Sequence, residues 1–472
     1  MKEFTKNLIT TSAGTIGGMV FQFLSVILMT RYMTKTDFGL YVIVMLIINI
    51  LNILSSLGTE LTIVKFLSSS ESNKNNIAVI ILIVRIISFI FFSISFLMLI
   101  NQGFLEIEYF SRYSIQIILI LLVTNLRDYF YNFLQGINKF KEYSIVNISS
   151  SFFRFVILTI FIFLSKYSLF DILLVEILAT IQPLIHQLYF IRNYELNISK
   201  NFLAQDINRI IRFSFPLYLN NIIVFLSTKI NTIVLTIFLS PIQVANFDVA
   251  EKIPFAFKKI LSSFIIVYFP TLSNKYSIGD FRGAKELVSK SIYTFSIIMY
   301  PIILISFLFK SDIVLLLFSN KYAESINIFS LLILNFFFLG ISDIIGYSFT
   351  PASLPKLPSI INFISLIINV ILSFWLIPTL GLIGAPISLI IMNLISIIIS
   401  LIFSKRYNIK PNLYFLRKVI FFNILNILLL ISLDGFEIFL KILIAMLLLM
   451  IFLLTNAQIF KFWFYKLRFF KK

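Results

Sequence analysis

Apolar runs of about 20 residues, parted by short polar stretches, repeat along the whole chain. That is the length a helix needs to cross the hydrocarbon core of a bilayer. The runs predict about 14 helices, over 9–30, 40–63, 77–100, 113–134, 145–165, 170–191, 213–239, 244–270, 290–309, 325–349, 358–377, 382–403, 415–433 and 437–460. They favour helices over the alternating strands of about ten residues that build an outer-membrane barrel. The expected fold is therefore all-α and polytopic. The first run follows basic residues, as a secretory leader does. It continues to Thr30 with no small-residue cleavage site, so it reads as the first transmembrane helix.

The first six runs and the next six share one rhythm. They predict two six-helix lobes around a central cavity, residues 1–195 and 212–404, joined by a cytoplasmic linker at 196–211. Two further helices and a basic tail fill 405–472. Six plus six is the plan of a duplicated transporter, with the substrate path between the repeats. Where the second half begins, Arg212 to Asp280 forms a hairpin. One span opens at Pro216 and carries Lys229. After a tight turn at Ser240-Pro241, a second span carries Asp248, Glu251 and Lys252 and ends at Pro270.

Composition removes the soluble alternatives. The 472 residues are 59% hydrophobic and 13% charged, against about 25% charged in a soluble protein. With no cysteine, disulfide and thiol chemistry are excluded, and a single histidine, His186, argues against a histidine metal site. His186 reads as a polar helix-packing residue. The net charge of +18 would fit a nucleic-acid binder if it were clustered. Roughly two-thirds of the 39 lysines and arginines fall instead on alternate loops, the positive-inside pattern. No nucleic-acid partner is expected, and both termini are placed in the cytoplasm. No loop is long enough for a folded extramembrane domain.

Charges at bilayer depth cost about 2.5–3.5 kcal/mol each on insertion scales, so they face a protein interior or a watery cavity. Five cations fall inside spans: Arg85, Arg127, Arg154, Lys229 and Lys252. Converging, they would suit phosphate or acidic sugars, because the planar guanidinium fork grips phosphate bidentately. The structural alternative is pairing. Lys252 has Asp248 four residues earlier on its own helical face, and Arg127 could meet a carboxylate on another helix, the adjacent Asp128 pointing elsewhere. Arg85 and Arg154 have no acid within four residues and read as cavity cations. Among the acids, Glu176, Asp248, Glu251 and Asp343 are candidates to bind a coupling proton or sodium ion, and Glu60 and Asp128 read as helix-end groups. No resident cofactor, metal or catalytic cluster is expected, so the chain does not read as an enzyme.

Four segments then resemble a known family. They are TRYMTKTDFGLYVIVMLIINILNILSSLGTELTIVKFLS (30–68), FLQGINKFKEYS (133–144), the central hairpin with Pro216, Ala250, Lys252, Pro270 and Gly279-Asp280, and GLIGAPISLIIMNLISIIIS (381–400). In order and spacing they resemble the polysaccharide transporters, the O-antigen and capsule repeat-unit flippases of the multidrug/oligosaccharidyl-lipid/polysaccharide exporter superfamily. The resemblance implies alternating access for an undecaprenyl-diphosphate-linked oligosaccharide across the bacterial cytoplasmic membrane. It also implies membrane lipids, a polysaccharide polymerase and chain-length proteins as partners. Many members carry an acid where this chain has Asn231, and the first span offers Gln22 in place of the aspartate common in drug exporters. A peptidoglycan-precursor flippase of the same superfamily remains open beside this reading, as does a membrane polymerase or ligase, although no large external loop supports the latter. A scaffold for glycosyltransferases is a third alternative.

Overall fold

Every regular element among the described residues is helical. The computed structural model describes residues 2–68, 74–102, 108–194, 204–354, 356–407, 409, 411, 446–450 and 452. Its α-helices are α1 (Lys2–Tyr32), α2 (Lys35–Ser56), α3 (Thr59–Leu67), α4 (Lys74–Asn101), α5 (Glu108–Arg112), α6 (Ser114–Gly136), α7 (Phe140–Phe163), α8 (Leu169–Ile191), α9 (Ala204–Phe238), α10 (Pro241–Ser277), α11 (Phe281–Leu308), α12 (Lys310–Phe318), α13 (Ser325–Gly346), α14 (Lys356–Leu380) and α15 (Gly384–Arg406). Ten candidate spans among the described residues are long and apolar enough to cross a membrane, the longest holding both α14 and α15. The chain is a multi-pass membrane protein. The expected helix at 415–433 lies outside the described residues. Of the one at 437–460, only 446–450 and 452 are described.

Two departures from the expected spans have local causes. The run at 40–63 is not one helix. Leu57 (φ 50°) and Gly58 (φ 70°) take left-handed conformations and part α2 from α3. A side chain at Gly58 would also collide with the backbone of Ser214 and Tyr218 in α9. Short helices α5 and α12 precede α6 and α13, where the apolar pattern alone showed only a span beginning.

Helix starts follow capping chemistry. Thr34 caps α2 by accepting from the Asp37 amide at 3.0 Å, and its hydroxyl donates to the Asp37 carboxylate at 2.9 Å. Ser168 and Asp171 close a reciprocal capping box on α8. Pro241 opens α10, where a missing N–H costs nothing.

The Cα framework divides into two compact units, Met1–Asp248 and Val249–Lys472. In the first, α1 packs along α7, and α6, α7 and α8 pack on one another. The two faces of α4 show the inside-out logic of a lipid solvent. Ile83, Ile87, Ile90, Phe91, Ile94 and Met98 are exposed, and Ile77, Ile81, Arg85 and Ser88 are buried on the other side. A core of Ile63, Phe66, Leu67, Ile81, Phe133 and Leu134 joins α3, α4 and α6.

In the second unit α13 packs on α11 and α15, and α14 pairs with α15. Small polar pairs link these helices: Ser342 with Ser396 at 2.8 Å, Asn393 to Asn335 at 2.7 Å and Ser373 to Ser388 at 3.3 Å. Apolar burial gives no preference for helix over lipid tail, so such bonds and close packing hold helices together.

Asp280 begins α11. It accepts from the Gly283 amide at 2.8 Å and from Lys275 Nζ at 2.8 Å. Those bonds hold its carboxyl below its ordinary value of 3.8. A lowered folded value means the contribution is complete above 3.8 and is lost as pH falls through the lower folded value. Asp280→Asn keeps the cap and loses the charge. We expect it to lower the melting temperature of the purified protein at pH 7, with the gap to the parent closing under acid conditions. A gap independent of pH would contradict the assignment.

Candidate functional site

Three membrane-length helices of the first unit turn polar stripes toward one another. On α6 the stripe is Arg127, Asp128, Tyr131, Asn132 and Gln135. On α7 it is Tyr143, Asn147, Ser150, Ser151 and Arg154, and on α8 it is Glu176 and Thr180, with Ala179 and Pro183 beside them. The spacing of three to four residues puts each set on one helical face. With Gln22 of α1 and Glu60 of α3 they line a cavity of about 410 Å³. That volume lies within the range of about 300–1,000 Å³ typical of small-molecule sites.

At one wall, three helices meet through a single carboxylate. Glu176 Oε1 accepts from Arg154 Nε at 2.9 Å, from Arg154 Nη2 at 2.5 Å and from the Tyr41 hydroxyl at 2.9 Å. Arg154 Nη2 also donates to Tyr41 at 3.0 Å. The Arg154 and Glu176 side chains are only 16% and 7% exposed, so their attraction is weakly screened. A predicted substrate cation and a predicted coupling acid are thus partners of each other, tying α2, α7 and α8.

The Arg127 expectation is corrected. Its Nε and Nη2 donate to Oδ1 of the adjacent Asp128 at 3.0 and 2.7 Å, not to an acid on another helix. Neighbouring positions diverge by about 100° on a helix, yet the long arginine stem folds back across that angle. Asp128 Oδ2 accepts in addition from Asn52 at 2.9 Å. Glu60 stands in the first turn of α3, as expected of a helix-end group, Asp128 lies within α6, and both line the cavity.

Arg85 does not. It is fully buried, and its Nε donates to Asn125 Oδ1 at 3.1 Å. Asn125 in turn donates to Ser55 at 2.8 Å. Neither terminal nitrogen of Arg85 has a hydrogen-bond partner among the described residues. Lys229, Glu251 and Lys252 are half-buried, Asp248 is buried, and each is engaged by neighbouring groups. None of the four lines either cavity described here.

Asp343 lies in the second unit, in a smaller cavity of about 140 Å³ with Ser342, Thr350, Asn362, Ser396 and Ser400. Its donors are all hard oxygens, the set that suits a small hard cation. Among the described residues no group of three or more His, Cys, Asp or Glu side chains is placed to hold a metal ion. His186 meets Ser149 at 3.3 Å and Gln182 at 3.1 Å, a packing role between α7 and α8.

The structure brings together Arg127, Arg154 and Glu176 among the predicted site residues. It adds Tyr131, Asn132, Gln135, Tyr143 and Asn147, which sequence reasoning passed over. Their signal was the repeat of uncharged polar residues every three or four positions through otherwise apolar runs.

Comparison with known proteins agrees with this architecture. Residues 216–375 match the MatE family. Over 214 residues the chain is 25% identical to a Shigella flexneri protein named "Putative O-antigen transporter". That match covers 45% of this chain and 50% of the other, so the chain spans about half the length of the curated relative it matches. Among solved structures, lipid II flippase MurJ in an inward closed conformation is similar, with TM-score 0.70 and 17% identity over 96% of this chain and 100% of that one. An inward-facing multidrug resistance MATE family transporter of the MOP superfamily gives TM-score 0.67 and 14% identity over 83% and 94%. At these identities the likeness shows the fold. Residues 4–275 match the family described as polysaccharide biosynthesis protein. Matched over more than half of its length, the chain belongs to this polysaccharide biosynthesis family.

Proposed function

We propose that the protein is a flippase for undecaprenyl-diphosphate-linked oligosaccharide repeat units, working by alternating access in the bacterial cytoplasmic membrane. The observation that supports this most is the polar cavity built from α6, α7 and α8, helices otherwise apolar enough to face lipid. Intramembrane polar groups are costly and mark a substrate path. The sugars cross through such a cavity and the polyprenyl tail stays in lipid. Membrane lipids and the enzymes that polymerise the flipped units are the partners this reading implies.

The Asp343 cavity is the proposed seat of a coupling proton or sodium ion. It is too small for cargo, at about 140 Å³, and its lining adds hydroxyls and an amide to the Asp343 carboxylate. Arg127 and Arg154 are proposed to shape the cargo cavity. Arg85, enclosed by Asn125, supports the α2–α4–α6 seam behind it.

Deleting the gene is expected to abolish surface polysaccharide and to leave lipid-linked repeat units on the cytoplasmic face of viable cells. Unchanged surface polysaccharide would refute the proposal. A second reading, a peptidoglycan-precursor flippase, draws on the similarity in fold to the lipid II flippase. Lysis on depletion would favour it.

A further inference from the structure

We propose that the α6–α7 end of the first unit's cavity is a pyranose subsite that takes uncharged or amino sugars and rejects uronic acids. The proposal rests on the oligosaccharide reading above and specifies the chemistry of the cargo. Two features carry it.

The first is the kind of lining. Tyr131 and Tyr143 meet edge to face with ring centroids 5.1 Å apart, and both border the cavity. Asn132, Gln135 and Asn147 stand beside them. A pyranose ring has apolar C–H patches that lie on aromatic faces and vicinal hydroxyls that both donate and accept. An amide presents one carbonyl and one NH₂ and can engage such a hydroxyl pair at two points. Tyrosine supplies an apolar body with a polar tip. A mixture of aromatic faces and neutral amides suits a sugar better than it suits a phosphate or an apolar drug.

The second feature is charge. The cavity holds two arginines against three carboxylates. Arg127 directs Nε and Nη2 at Asp128, and Arg154 directs the same two atoms at Glu176. The third carboxylate, Glu60, receives the Asn221 amide at 3.3 Å and has no cation in ion-pair contact among the described residues. The described side chains that line the cavity therefore sum to one net negative charge, with the buried Arg85 attracting Glu60 and Asp128 from behind the wall. A sugar carboxylate entering the cavity meets repulsion from Glu60, and an ammonium meets attraction. The sequence alone, with five cations inside spans, suggested phosphate or acidic sugars if those cations converged.

The test uses lipid-free probes on the full-length protein in nanodiscs of neutral lipid. Saturation-transfer NMR and titration calorimetry would compare N,N′-diacetylchitobiose, chitobiose and digalacturonic acid. Binding of the first two is expected, with digalacturonic acid at least about tenfold weaker. Glu60→Gln, which can still accept from Asn221, should narrow that gap. Asn132→Ala and Tyr143→Leu should weaken diacetylchitobiose by about tenfold each, of the order expected for truncating a hydrogen-bonding or aromatic contact. Equal binding of the acidic probe, no effect of Glu60→Gln on the ratio, or binding of none of the probes would overturn the subsite. The probes have no lipid, so the flippase reading is judged separately. Sugar selectivity without surface-polysaccharide loss on gene deletion would sink that reading and keep the subsite. Polysaccharide loss with no sugar selectivity would do the reverse.

Discussion

Arg154→Met and Glu176→Gln are each expected to destabilise the protein by about 3–5 kcal/mol, the usual cost of leaving one member of a buried ion pair alone. The pair is 16% and 7% exposed, and Glu176 also receives the Tyr41 hydroxyl, so either loss strands a charge among α2, α7 and α8. The double variant Arg154→Met/Glu176→Leu should regain most of that loss, because two well-packed apolar side chains often replace a buried pair at little cost. Thermal melting of the purified protein would read all three. Transport should stay low in the double variant, since the cavity wall has lost its polar face. Additive losses in the double variant would show that the two side chains do not act as a pair.

Gly39→Ala is expected to be the most damaging single-methyl change in the first unit. A Cβ there would run into the backbone carbonyl of Pro241, where α2 crosses the start of α10. Backbone has no rotamer to change, so the helices must separate, and overpacking of this kind costs about 1–3 kcal/mol or more. Gly17→Ala is the control. Its Cβ would sit at ordinary contact distance, 3.5 Å from Ile148, and should be neutral or stabilising by about 0.5–1 kcal/mol, since alanine favours helix. Folded yield in the membrane and the melting temperature would distinguish them. Equal stability for the two variants would mean that α2 and α10 do not pack this closely.

The helices were legible because their cause is local. Lipid demands a long apolar run, and Ser240-Pro241 announces the turn between α9 and α10 without tertiary help. The break at Leu57–Gly58 was not legible. Its cause is the close passage of α9, which no window around residue 57 contains. The site followed the same division. Arg85 and Arg154 look alike in sequence, each deep in a span with no acid nearby. Only the packing of α6 and α8 decides that Asn125 encloses one and Glu176 meets the other. Tyr131, Asn132 and Asn147 were visible as a periodic polar stripe, but attention to ionisable groups alone passed over them.

The internal neutralisation of Arg127 and Arg154 bears on the energetics of transport. Moving one elementary charge through 100 mV involves about 2.3 kcal/mol. Two unpaired guanidinium groups carried across the field would make every turnover strongly voltage-dependent. Locked to Asp128 and Glu176, they contribute almost no gating charge. In the proposed flippase cycle, membrane potential then acts on the cargo and on the remaining intramembrane charges rather than on these two arginines.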